Sequence, residues 1–144
     1  MKKIIVLIFV IFSFSISAQE KQNDATLKET ILWLRNYGIP RSEQEGEKWF
    51  IYFDEQSNLI KYTIKIGKER EEFISTDKDT QDLEFFMYEG KYIINVPMGH
   101  QAYPFSYGVD KDFALRVFKA FEHLYYLLKW DVKCENLTVS ENKF

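Results

Sequence analysis

At 144 residues, with 19 Lys and Arg against 22 Asp and Glu, the chain carries a net charge of −3. That balance argues against nucleic acid or an anionic membrane surface as its partner, since both reward a basic patch. Aromatic residues at 17% and hydrophobic residues at 46% suit a dense core and exclude a disordered chain, and a lone cysteine, Cys134, excludes an internal disulfide.

Chain order begins with what reads as an export label. Lys2 and Lys3 precede the apolar run IIVLIFVIF, and SFSISA then leads to the small residue Ala18. This is the layout of a cleavable secretory signal with its cut after Ala18. Read as a retained anchor, the stretch is barely long enough to span a bilayer. Residues 1–18 are therefore expected to be a signal peptide and 19–144 a single exported domain, periplasmic or secreted. Removing Lys2 and Lys3 takes the net charge from −3 to −5.

DATLKETILWLRNYGIP predicts a helix. Thr26 and Glu29 have capping-box spacing, in which each side chain satisfies an early backbone N–H. Leu27, Ile31 and Leu34 share one face, flanked by Trp33 and Tyr37. Gly38 is expected as the left-handed C-terminal cap and Pro40 as the stop. After a polar connection, WFIYF has the length and composition of a strand. DEQSN then turns the chain into LIKYTIKI, where Ile60, Tyr62, Ile64 and Ile66 oppose Lys61, Thr63 and Lys65. A turn at Gly67 and Lys68 leads to a weaker strand in EREEFIS.

DLEFFMYEGKYIINV predicts a hairpin in which a Glu89-Gly90 turn pairs Tyr88 with Lys91. That register puts Leu83, Phe85, Met87, Tyr92, Ile94 and Val96 on one apolar face. DKDFALRVFKAFEHLYYLLKW predicts a long helix capped by Asp110, with Asp112 at the positive end of its dipole. Its apolar arc is Ala114, Val117, Phe118, Phe121, Leu124, Tyr125 and Leu128, opposite Arg116, Lys119, Glu122, His123 and Lys129. Leu115, Tyr126 and Trp130 also fall on that opposite side, making a candidate self-association face. DVKCENLTVSENKF adds a short edge strand. The fold class is α+β: an N-terminal helix, an antiparallel meander of about five strands and a long C-terminal helix packed on the sheet. The alternative is a partly closed barrel capped by the last helix, as in pleckstrin-homology-like folds.

The pairing of TLKETILWLRNYG with RVFKAFEHLYYLL resembles a recurring layout in small exported bacterial proteins of unknown function. In that layout an amphipathic helix, a β meander and a closing KA-x-x-HL helix fill most of the mature chain. Lys119, Ala120, His123 and Leu124 are the matching residues here. The resemblance implies the order of the fold and no activity.

Motifs for chemistry are sparse. His100 and His123 stand away from zinc-ligand spacing, and neither a G-x-S-x-G elbow nor a Gly-rich phosphate cradle occurs. No catalytic residue, metal site or cofactor is assigned. Asp77, Asp79, Asp82 and Glu84 cluster, but they lack the glycine and terminal glutamate of a calcium loop and read as a solvated turn. Cys134 reads as a small buried hydrophobe rather than a reactive thiol.

MGHQAYPFSYGVD is kept from being a helix by Pro and Gly and gathers His100, Tyr103, Phe105 and Tyr107. An extended backbone puts Tyr103, Phe105 and Tyr107 on one side, either as cover for the core, which comes first, or as a platform for a peptide, glycan or apolar ligand. The expected function is a non-enzymatic exported interaction or ligand-binding domain with a protein, peptide or small-molecule partner and no stable membrane span in the mature chain. A hydrolase using carboxylates in 77–84 and a self-associating structural protein are the alternatives.

Overall fold

The computed structural model describes residues 23–39, 47–66, 68–78 and 81–138. The expected signal segment, Pro40, Gly67, Asp79 and residues 139–144 lie outside the described residues.

Helix α1 (Leu27–Trp33) starts at the predicted capping box. Thr26 N–H donates to Glu29 Oε2 at 2.8 Å, and Glu29 N–H donates to Thr26 Oγ1 at 3.2 Å. The helix then widens into a π-helical turn, Leu34–Gly38, closed by the Ile39 N–H on the Leu34 carbonyl at 3.0 Å. Gly38 is not the left-handed cap the sequence suggested; Gly90, Gly99 and Gly108 are the described glycines with positive φ. Its constraint is steric, because a Cβ at this position would lie 2.6 Å from Leu34 Cδ2 and the buried Leu34 side chain would have to shift.

Two sheets follow where one meander was expected. Strands β1 (Glu47–Asp54), β2 (Leu59–Ile66) and β3 (Glu69–Ser75) pair antiparallel in that order. Strands β4 (Leu83–Tyr88), β5 (Lys91–Met98), β6 (Gln101–Ser106) and β7 (Cys134–Asn136) form the second sheet, ordered β6-β5-β4-β7, with β7 parallel to β4. The Glu89-Gly90 turn has φ of 50° and 77°, and Tyr88 pairs with Lys91 as the sequence required. The added strand is β6, built from the aromatic loop. Pro104 is tolerated there because β6 is an edge, where a missing N–H breaks no ladder.

Helix α2 (Lys111–Leu128) is capped by Asp110, whose Oδ1 accepts the Phe113 N–H at 3.1 Å. Its buried residues are six of the predicted arc, Ala114, Val117, Phe118, Phe121, Leu124 and Tyr125, together with His123 from the side expected to be exposed, while Leu128 of the arc is half-buried. Those six cover Leu83, Phe85, Ile94 and Val96 of the second sheet, with Phe118 stacked on Phe85 at 5.6 Å between ring centroids. Truncating Phe85 or Phe121, both fully buried, would cost about 3–5 kcal/mol through lost burial and the cavity left behind.

The sheets meet at a seam. Ser75 Oγ, at the end of β3, donates to the Pro97 carbonyl at 2.8 Å and accepts the Gly99 N–H at 3.2 Å. Beside it Trp49, Phe73, Tyr103 and Phe105 interlock, with Trp49 at 4.8 Å from Tyr103 and 5.2 Å from Phe105. Among the described residues the sheets remain separate and no closed barrel forms.

Candidate functional site

The aromatic loop is resolved into individual roles. Phe105 is buried at the seam, and Tyr103 is half-buried between Trp49 and Phe73. Tyr107 turns inward and donates its hydroxyl to the Gly38 carbonyl at 2.6 Å, and burial pushes its pKa well above the ordinary tyrosine value. His100 is exposed in the turn between β5 and β6. Three of the four residues are therefore committed to packing, and they do not present one surface with His100.

The second set divides in the same way. Tyr126 is 77% exposed, whereas Trp130 is 6% exposed and stacks near Tyr125 at 6.1 Å. The cause is Lys129, whose left-handed φ of 58° ends α2 and swings the next residue back to the core. Leu115 is partly buried against that core, so the three residues do not form a common outward face. His123 also departs from the helical wheel. It is buried, and its Nε2–H donates to the Ala25 carbonyl at 2.7 Å, a contact that holds the start of α1 onto α2.

Of the acidic stretch, Asp77 is exposed, Asp82 and Glu84 are half-buried, and Asp79 lies outside the described residues. Among the described residues no three His, Cys, Asp or Glu side chains converge as metal ligands would. Cys134 is half-buried on β7, and desolvation, reinforced by Glu122 and Asp82, pushes its pKa up to about 11. A thiol so disposed is a poor nucleophile.

The surface that stands out is the outer face of β1-β2-β3. Antiparallel register places Lys48 opposite Lys65 and Lys65 opposite Arg70, so three cations form one row across three strands. The next row is Phe50–Thr63–Glu72 and the one after it Tyr52–Lys61–Ile74. Phe50, Tyr52 and Ile74 are 45%, 54% and 44% exposed. Strands lie ~4.8 Å apart, so the cationic row spans about 10 Å. Lys48, Lys61, Lys65 and Arg70 share the face with two carboxylates. Glu72 reaches Arg70 at 3.1 Å, and Asp54 is occupied by its own turn, accepting from Ser57 Oγ at 2.7 Å and the Gln56 N–H at 3.0 Å. The Ser57 contact, helped by that N–H, holds the Asp54 carboxyl below its ordinary pKa.

Sequence inspection passed over this face because WFIYF looks uniformly apolar. Alternation sends Trp49, Ile51 and Phe53 inward and leaves Phe50 and Tyr52 outside. The signal was present in LIKYTIKI, whose polar side is Lys61, Thr63 and Lys65. It needed the register of both neighbouring strands to become a surface.

Depressions adjoin the helices, among them one of about 490 Å³ lined by Lys119, Glu122, His123 and Tyr126. A cleft of about 470 Å³ between α1 and α2 is lined by Thr30, Trp33, Arg116, Lys119 and His123. Arg116 lies over the Trp33 ring at 5.7 Å and His123 is held by Ala25, so its most distinctive side chains already serve helix packing. A groove of about 210 Å³ between α1 and β1 is lined by Leu27, Ile31, Leu32, Arg35 and Tyr52. Arg35 Nε donates to the Ile51 carbonyl at 3.0 Å, tying helix to strand. Tyr52 belongs to both groove and sheet face, so apolar surface continues around the β1 edge.

Comparison with known proteins gives no match: no family model fits the chain, and no curated protein or solved structure is significantly similar to it. Among the described residues no helix is long and apolar enough to cross a membrane.

Proposed function

We propose that the protein is an exported, non-enzymatic binding domain that engages its partner through the outer face of β1-β2-β3. The observation that carries this reading is the exposure of Phe50 and Tyr52, neighbours on β1, and of Ile74 across Lys61, on the face opposite the buried Ile51, Ile60, Tyr62 and Ile64. A strand with one wet face normally keeps that face polar, and clustered apolar side chains in water mark interaction sites. The hydrolase alternative lacks comparable support, since Asp77, Asp82 and Glu84 point to no shared cavity among the described clefts. Export rests on the Lys-Lys, apolar run and Ala18 pattern at the N-terminus.

Both halves of the proposal are testable. Mass spectrometry of the protein from its native host should find Gln19 as the first residue; an intact N-terminus would remove the signal-peptide reading. A photo-cross-linking side chain placed at position 50 should capture a partner in living cells, and the same group at the exposed position 126 should not. Capture from 126 alone, or from neither position, would refute the sheet face as the binding surface.

A further inference from the structure

We propose that the occupant of this face is a linear acidic glycan, its carboxylate or sulfate groups paired with Lys48, Lys65 and Arg70 and its sugar rings stacked on Phe50 and Tyr52. This names the ligand class of the surface just described and rests on that surface being the binding site.

Register is the first argument. Like charges directly opposite one another on neighbouring strands destabilise a sheet, yet Lys48, Lys65 and Arg70 stand in line across all three strands. Glu72 offsets Arg70 at 3.1 Å, which leaves the Lys48–Lys65 pair as the arrangement that folding alone does not favour and an anionic ligand relieves. The row presents positive charge at intervals of about 5 Å over about 10 Å, comparable to a disaccharide unit.

The chemistry beside the row points the same way. Lys48, Phe50 and Tyr52 alternate along β1 and project to the same side, about 7 Å apart. A pyranose ring has an apolar face of C–H groups and a polar rim. A flat, exposed aromatic next to a cation matches a ring that bears a charged substituent. The hydroxyls of Tyr52 and Thr63 and the Lys61 ammonium lie within the same rows and offer donors to ring hydroxyls.

Charge density selects among polyanions. The chain as a whole is acidic, at −3, and the Debye length near 0.15 M salt is about 8 Å. A ligand that stays within the row meets Lys48, Lys65 and the Glu72-paired Arg70, whereas one that extends past it along β3 meets the Glu72 carboxylate directly. Duplex DNA carries a charge every ~1.7 Å of its axis, and an anionic bilayer is charged over its whole plane, so both confront that acidic surround. A glycan with a charge on each ring, or on alternate rings, places few charges outside the row.

The test titrates the purified secreted protein with a hexuronate oligosaccharide, a neutral glucose hexamer, a thymidine 12-mer and vesicles of phosphatidylcholine with phosphatidylglycerol. Calorimetry gives affinity and amide chemical shifts give location. Hexuronate should bind saturably, shift the amides of 48–52, 63–65 and 70–72, and weaken with added salt. Lys48→Gln with Lys65→Gln should lower its affinity by about tenfold or more without lowering the thermal melt, and Phe50→Ser should weaken it severalfold. Equal binding of the neutral hexamer, or no effect of the double lysine change, would overturn the inference. Tighter binding of the 12-mer or the vesicles would overturn it too, in favour of nucleic acid or a membrane. If hexuronate fails to bind while the position-50 cross-linker still captures a partner, the glycan falls and the sheet-face reading stands; if both fail, both fall.

Discussion

The Tyr107 hydroxyl and the Gly38 carbonyl, 2.6 Å apart, join the turn that enters α2 to the end of the turn that closes α1. Both helices are thereby fixed to each other at points remote in sequence. Tyr107→Phe keeps the ring and removes the donor, leaving a part-buried carbonyl without its partner, at a cost of about 1–2 kcal/mol. The sign with pH follows from burial, which raises the Tyr107 pKa above its ordinary 10.0. Below pH 10 both states hold the proton and the contribution is intact. Above it the unfolded chain ionises first, so stability falls with rising pH until the folded group also titrates. Urea midpoints measured from pH 8 to 11 should fall more steeply for the wild type than for Tyr107→Phe.

Ser75 makes a comparable join between the sheets. Its hydroxyl satisfies the Pro97 carbonyl and the Gly99 N–H together, and the residue is 1% exposed. Ser75→Ala strands two backbone groups and is expected to lose about 2–3 kcal/mol. Gly99→Ala should be at least as harmful, since φ is +65° and a Cβ would stand 2.9 Å from the Ile74 carbonyl oxygen. Native-state hydrogen exchange would show both variants opening at 73–75 and 98–99 before global unfolding; unchanged protection there would exclude Ser75 as a tie.

Gly38 marks where sequence reasoning succeeds and where it stops. Local rules were legible: the Thr26–Glu29 box, the Asp110 cap, the Glu89-Gly90 register and the buried arc of α2 each depend on residues close in sequence. The end of α1 was not, because Gly38 is constrained by the Leu34 side chain in a widened turn and not by a left-handed φ. His123 and Trp130 were misplaced for a related reason: each is buried by a segment, Ala25 or the turn at Lys129, that a helical wheel leaves out. The candidate site was hardest to see, since a row across three strands exists only once both registers are fixed. Gly38→Ala should cost about 1–3 kcal/mol through overpacking, read as a lowered melting temperature. A left-handed cap would instead give a penalty from φ alone, relieved by Asn; Gly38→Asn is expected to be worse than Ala because its side chain is larger.

Cys134 should be slow to react. With its pKa at about 11 against an ordinary 9.0, the thiolate fraction at pH 8 is about a thousandth. Alkylation by iodoacetamide followed by mass spectrometry should run about a hundredfold slower in the native protein than in urea. The same shift makes the folded state lose stability as pH rises from 9 to about 11, because the unfolded thiol ionises first. Cys134→Ser should flatten that part of the profile. Native labelling as fast as unfolded would show the thiol to be activated.

Lys65 sits between Lys48 and Arg70 in the row on β1-β2-β3, and the cost of that placement can be measured without any ligand. Each like-charge cross-strand pair is unfavourable by roughly 0.2–1 kcal/mol, and an opposite pair is favourable by a similar amount. Lys65→Glu converts two repulsive neighbours into two attractive ones, while side-chain packing is little affected because all three residues are exposed. The variant should therefore be more stable than the wild type by about 1 kcal/mol in low salt. Salt gives the sign an independent check. Screening weakens repulsion in the wild type and attraction in the variant, so the gap should narrow as sodium chloride is raised from 10 mM to 0.5 M. If the gap has the opposite sign, the three cations do not repel one another and the strained-row argument fails. If it appears as expected, the sequence keeps a stability cost at an exposed position where one substitution removes it, and a cost of that kind is what a surface retained for an anionic ligand should show.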